Sequence, residues 1–440
     1  MKIVTKVLLG LLVFVLSAVI LVLIVSAAVN AGQKKIYNAV QTASVKAYED
    51  FGEYVKKPFY ETYADGQSWD YYGKAVDLIK TDIDKNGNKE IFRDYAEDKG
   101  TVTREQVLEA LKSEEEPLHI FREGVYKNKC LIPVDYRDFA GTFFPNVYSV
   151  FFLSNASGSR YLIELEDKKY SEALRSAMEN IIFSIDLMNS SPNLMLYIGG
   201  VHNLKKTVKH LNKFIAEKRK DLRSIETVIK AYETLRGEFK DIMELIDYER
   251  HLIKINLSDL FYEQLFNSPR ASVGSFKKLL VKLYLAKYGF SEYKAINNTL
   301  DLFDRIYDNI IKAEPRTWKG LTGVFGENDR LIFNSKNDIA NIVYPKYDSI
   351  VFEYFALRTE IDMQLLKLYL IRALSEGKTA EKAVENVKTR IGEFKDFYSG
   401  ENIRIENDAR KRVISLVSFG PDGVTDAAAP GDDIKMEIEY

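Results

Sequence analysis

Four aspartates, Asp422, Asp426, Asp432 and Asp433, lie in one short Gly/Pro-rich stretch, GPDGVTDAAAPGDDI, between two runs of alternating apolar residues. Calcium takes about six to eight oxygen ligands, and carboxylates interleaved with flexible backbone supply them. The same residues also make Asx turns and guard a hairpin against edge pairing, so the chemistry by itself leaves both accounts open. A second acidic stretch, Asp82-Ile83-Asp84-Lys85-Asn86-Gly87, matches the first half of a D-x-D-x-N-G calcium loop. Its eighth position is Lys89 and its twelfth is Arg93, where an apolar residue and a bidentate Glu are needed. A solvated Asx/Gly turn is the better account there.

The other reactive residue types are scattered. His119, His202, His210 and His251 form no local metal motif, and the lysines at 205, 206 and 209 would repel a cation from the second and third. They are expected at the surface. Cys130 is the single cysteine, which excludes an intramolecular disulfide and any site needing two thiolates, and it is expected to be a small buried hydrophobe. No G-x-S-x-G, H-E-x-x-H or Walker loop occurs. Glu244 and Asp247 share a helix face, as acids on a solvated amphipathic helix do. The 27 Tyr and 25 Phe fall mostly at helical core spacing, so packing accounts for them better than a glycan-stacking surface.

The elements that would hold these residues begin with an apolar, uncharged run from Val7 to Val29, long enough to cross a bilayer. Lys2 and Lys6 precede it, which favours a cytoplasmic N-terminus. A cleaved signal peptide competes through Val29-Asn30-Ala31, but its apolar core would be shorter, so an uncleaved single-pass anchor in the inner membrane is expected, with the bulk of the chain periplasmic. Lys+Arg 62 against Asp+Glu 64 leaves a formal charge of −2 in 440 residues, which argues against nucleic acid as a partner.

Helical spacing continues from Gln33 to about Pro58, as a stalk, and a helix after Ser68 puts Trp69, Tyr72, Val76 and Ile79 on one face. Thr103 to Gln106 has the form of a capping box. Further helices are expected over 170–188, from about Pro192 to Lys218, 224–250, 275–288 and 291–313, joined by short connections as antiparallel hairpins. Gly320, Gly323 and Gly326 interrupt the pattern, and 318–345 is expected to be an irregular surface loop. Helices over 347–376 and 379–395 follow, and then period two at Ile403/Ile405, Ile414/Leu416 and Ile434/Met436/Ile438 predicts three short strands.

The run DFYSGENIRIENDARKRVISLVSFGPDGVTDAAAPGDDIKMEI resembles the C-terminal segment of the type II secretion major pseudopilins. In that family the loop binds calcium and staples the C-terminal strands. The resemblance implies that Asp422 and Asp433 are the leading calcium ligands, with Asp426 and Asp432 between them. Ala427, Ala428 and Ala429 stand where glycines are usual and Phe397 where proline is usual; the prepilin signature is missing from the membrane helix. The anchor, WDYYGKA (Trp69–Ala75), FREGVYKNKCLIPVDY and this tail together are similar to a group of bacterial membrane-anchored helical envelope proteins, a likeness that implies architecture and no activity. The expected fold is mainly α: a transmembrane anchor over 1–31, an irregular helical-hairpin array over 32–345, and a helix with a small pseudopilin-like β-element over 346–440. The expected function is an extracytoplasmic envelope scaffold or interaction protein with an envelope protein partner. The alternative is an envelope enzyme of the cell-wall or glycan hydrolase type, using carboxylates gathered by the fold.

Overall fold

The computed structural model describes residues 2–52, 54–56, 63–80, 87–133, 147–190, 193–262, 291–335, 337, 340, 347–421 and 434–440. In chain order the helices are α1 (Lys2–Glu49), α2 (Ser68–Lys80), α3 (Asn88–Ala96), α4 (Arg104–Ser113), α5 (Glu115–Val125), α6 (Val147–Glu166) and α7 (Tyr170–Asn189). They continue as α8 (Leu194–Lys218), α9 (Leu222–Glu238), α10 (Ile242–Tyr262), α11 (Glu292–Ile311), α12 (Trp318–Ser335), α13 (Asp348–Ser375) and α14 (Ala380–Lys388). The strands are β1 (Tyr54–Val55), β2 (Ala64–Gln67), β3 (Lys127–Cys130), β4 (Arg404–Asp408), β5 (Val413–Ser418) and β6 (Ile434–Glu439). The fold is mainly α, with an apolar N-terminal helix and a small antiparallel C-terminal sheet, as expected.

The chain divides into two compact units. One comprises Met1–Asp50, Asp247–Ile311 and Glu327–Pro345. Among the described residues α1 is the one helix long and apolar enough to cross a membrane. Ile20, Leu21, Val22, Ile24 and Val25 are exposed on it, as side chains that face lipid would be. Past that apolar stretch the same helix turns into core. Tyr37, Ser44 and Tyr48 are buried, and the Tyr37 hydroxyl donates to the Ile255 carbonyl at 3.2 Å. Asn30 helps to start α11: its Oδ1 accepts from Ser291 Oγ at 3.0 Å and from the Tyr293 amide at 3.3 Å, while Ser291 Oγ takes the Lys294 amide. Asn297 then donates to the Gln33 side chain at 2.7 Å.

The other unit comprises Phe51–Ile246, Lys312–Gly326 and Lys346–Tyr440. Its helices start where caps allow. Thr103 makes the expected capping box with Gln106, Asn193 caps α8 through the Met195 and Leu196 amides, and Asp221 caps α9 through Ser224. The expected helix over 224–250 is two helices, because Phe239 turns extended and Asp241 opens a new one by accepting from the Met243 amide at 3.0 Å. Helices α7 and α8 approach so closely that a Cβ on Gly200 would lie 2.6 Å from both the Ser184 carbonyl and Met188 Cγ. A three-stranded sheet of order β1-β3-β2, which period two does not announce, ties the start of this unit to Cys130. The tail sheet has order β4-β5-β6, all antiparallel, with β5 central and nearly all buried. The expected helix near 275–288 and the expected start at Pro192 lie outside the described residues.

An expected loop is a helix. Residues 318–335 form α12, a helix where an irregular loop was expected. Thr317 starts it by accepting the Gly320 amide at 3.1 Å, and Leu321, Phe325, Asn328 and Ile332 are buried as one stripe at spacing four, three, four. The Trp318 ring packs edge-on against Phe352 at 5.1 Å. Burial of that stripe outweighs the weak helix preference of three glycines, about 1 kcal/mol each. Gly320 is there for space: its Cβ would sit 2.3 Å from the Pro315 carbonyl. Gly323 and Gly326 face open surroundings at ordinary helical φ. Gly323→Ala and Gly326→Ala should each raise unfolding stability by about 0.5–1 kcal/mol in urea titrations, and Gly320→Ala should lower it. Destabilisation by the first two would contradict a helix here.

Candidate binding groove

The groove is assembled from helix ends that the chain terminates for local reasons. Helix α13 closes in a Schellman turn: the Gly377 amide donates to the Leu374 carbonyl at 3.0 Å and the Lys378 amide to Ala373 at 3.2 Å, with Gly377 at φ 81. Thr379 at once caps α14 by accepting the Lys382 amide. The end of α8 is held alongside by Ser375 Oγ, which donates to the Arg219 carbonyl at 2.7 Å. Beside these lie the β4–β5 turn at Arg412, itself left-handed at φ 56, and the last residues of β6. Between them opens a groove of about 790 Å³, within the range of small-ligand sites.

Its lining is aliphatic below and charged around the rim. Ile215, Ile371, Leu374 and Ile438 contribute apolar surface, and Arg219, Lys220, Lys367, Lys378 and Arg412 contribute cations against Glu381, Glu437 and Glu439. Arg219 and Lys220 are exposed and make no ion pair among the described residues. Lys378 pairs with Glu376 at 2.8 Å, and Arg412 lies over the Tyr440 ring. Lys367 is half-buried with one long hydrogen bond, 3.4 Å to Asn212 Oδ1, and burial lowers its pKa. The N-terminus of α14 adds its free amides to the positive side. A site with a surplus of cations over an apolar floor suits an anionic, partly apolar ligand.

Compared with known protein families, curated proteins and solved structures, the chain matches none. The site therefore has to be read from its own chemistry.

A hydrolytic site would gather acids of raised pKa in a cleft, and among the described residues the acids raised by burial lie outside this groove. Asp186 is fully buried against Lys56 Nζ at 2.5 Å and the Tyr72 hydroxyl at 2.6 Å, and burial raises its pKa. Asp362 is pushed up to about 6 by burial, opposed by Arg236 at 2.8 Å and the Lys395 amide at 3.0 Å. Burial also raises Glu164, Glu249 and Glu360. None of the five lines the groove. Cys130 is buried as expected, with its thiol pKa pushed up by burial, so it is no ready nucleophile.

His210 corrects a surface expectation. It is 6 % exposed, stacked on Tyr161, with Nε2 2.9 Å from the Ala96 carbonyl at the end of α3, and burial brings its pKa down to about 4. His202 and His119 are exposed and His251 is half-buried. The aspartates proposed as metal ligands, Asp422, Asp426, Asp432 and Asp433, lie outside the described residues, as do Asp82 to Asn86. Among the described residues no three His, Cys, Asp or Glu side chains are grouped to hold a metal ion. What is described is how the acidic loop is held at both ends. Ser418 and Ile434 face each other in the β5–β6 register. Asp396 grips the loop's start: Oδ1 accepts from the Tyr398 amide and Ser418 Oγ, Oδ2 from the Phe419 amide and Ser399 Oγ, at 2.9–3.1 Å.

Glu249 yields a test of the buried charges. Its Oε2 has no hydrogen-bond partner, and burial pushes its pKa up to about 8 from an ordinary value of 4.5. A carboxyl raised on folding stabilises the fold fully below its unfolded pKa and loses that contribution as pH rises through its folded value. Wild-type stability should therefore fall, relative to Glu249→Gln, between about pH 4.5 and 8, with a slope difference of up to about 1.4 kcal/mol per pH unit. Parallel profiles for the two proteins would place the charge elsewhere.

Proposed function

We propose that this chain is an extracytoplasmic scaffold or interaction protein of the bacterial envelope, held in the inner membrane by α1 and engaging a protein partner through the groove between α8, α13, α14 and β6. The observation that carries the reading is the groove's cation surplus over an aliphatic floor, with Lys367 half-buried and bonded only to an amide. An uncleaved anchor is favoured because α1 runs unbroken through Asn30, whose side chain receives the first groups of α11. Cleavage near residues 29–31 would cut that helix where it becomes core. A periplasmic body follows from the lysines ahead of the apolar run.

A photo-crosslinking residue at position 220 should yield one protein adduct in native membranes, identified by mass spectrometry. The adduct should be lost on Arg219→Glu with Lys378→Glu. The same residue at Lys230, exposed on α9 away from the groove, should yield none. Adducts indifferent to charge reversal would overturn the reading.

The acidic loop is proposed to take calcium through Asp422, Asp426, Asp432 and Asp433, as a structural clasp. The paired residues Ser418 and Ile434 bring the loop's ends together, which lets a single ion bridge its two sides. Thermal unfolding with calcium and with chelator should differ, a ligand at a hundredfold excess over its Kd contributing about 2.7 kcal/mol. Asp422→Ala and Asp433→Ala should each abolish the difference, and superimposed wild-type curves would remove calcium from the account.

A further inference from the structure

The groove has one wall that side-chain charge does not describe. In the tail sheet, β6 is an edge strand among the described residues, with β5 on one side. The Tyr440 amide donates to the Arg412 carbonyl at 3.1 Å, which sets the alternation of the antiparallel ladder. Counting back along the register, Ile438 bonds to Ile414, Met436 to Leu416 and Ile434 to Ser418. The intervening residues, Lys435, Glu437 and Glu439, therefore turn their amides and carbonyls away from β5. None of these six groups has a hydrogen-bond partner among the described residues, and all three residues are exposed. Glu437 and Glu439 line the groove, so this open edge is part of it.

We propose that the groove takes an extended acidic peptide segment, added to the outer edge of β6 as a fourth strand. The inference rests on the groove being an interaction site and names the chemistry of its partner. A row of alternating donors and acceptors matches only another extended backbone, whereas a lipid headgroup or a free anion would use the cations and leave the row unmet. Charge selects the segment: Arg219 and Lys220 lack ion-pair partners and Lys367 lacks a carboxylate, so acidic side chains reaching across the groove supply what this chain does not. A second copy, added antiparallel through the three outward residues, sets Glu437 opposite Glu437 and Lys435 opposite Glu439 twice, so it competes for the same edge and sedimentation separates it from the peptide.

The test uses the full-length chain in detergent micelles and a fluorescent hexapeptide of alternating aspartate and valine, followed by anisotropy. Binding is expected, with the lysine–valine counterpart failing to bind. Methylating alternate backbone amides of the peptide should weaken it about tenfold, the loss of one or two ladder bonds. Glu437→Pro removes one outward amide without touching the bonds to β5, and it should weaken binding about tenfold with the melting temperature held. Should both the methylated peptide and Glu437→Pro bind as tightly as the originals, strand addition is wrong. In that case loss of binding on Arg219→Glu with Lys220→Glu still leaves the groove as an interaction site. Absence of any peptide binding, or a dimer by sedimentation that the peptide does not displace, also overturns the inference, while the adduct at position 220 judges the groove independently.

Discussion

Helix α13 has no solvent side through most of its length. Ile361 to Leu366 are buried consecutively, as are Tyr354 to Leu357, and a helix buried at successive positions is buried all round. Its neighbours have to cover it: α8, α9, α14 and the strands β5 and β6 all pack against it. Its polar residues must then be met from inside. Thr359 accepts the Phe397 amide, and Asp362 takes Arg236 together with the Lys395 amide. Those bonds fix the path of residues 395–397, which in turn presents Asp396 to the end of β5. The groove lies where this cover runs out, at the last turns of α13, so Ile371 and Leu374 are both the rim of the core and the floor of the site.

The same constraint explains why the tail can be ordered around an acidic loop. The Asp396 carboxylate accepts four hydrogen bonds, two of them from backbone amides, which is nearly the full capacity of its oxygens. Bonds to an ionised acceptor are the strong ones, and here they tie residues 396–399 to 418–419 without any ion. A cation in the loop would act beyond that point, on residues 422–433, as an additional clasp.

What the sequence disclosed follows from how local each cause is. The capping box at Thr103, the apolar run of α1 and the alternation in β5 and β6 are local and predicted their elements. The stripe Leu321–Phe325–Asn328–Ile332 was also local, but the three nearby glycines carried more weight, though two of them occupy unremarkable helical positions. His210 shows the opposite case, because its burial depends on Ala96 at the end of another helix. The groove is the extreme of this kind. It gathers residues 212–220, 367–381, 412 and 437–440, and in each stretch the charges look like ordinary surface. No spacing rule joins four separate segments, and only packing around α13 does.

That a half-buried lysine persists in this setting is itself informative. Its ammonium is partly desolvated without an ionic partner among the described residues, a cost that Met or Leu would avoid. An open β edge beside it is a second liability of the same sort, since unpaired strand backbone invites unwanted pairing. A ligand that is acidic and extended offsets both at once. Such a site can afford to be weak if, as proposed, α1 confines the chain to a membrane. A partner in the same envelope layer is then met at a high effective concentration, and modest affinity in the groove suffices for occupancy.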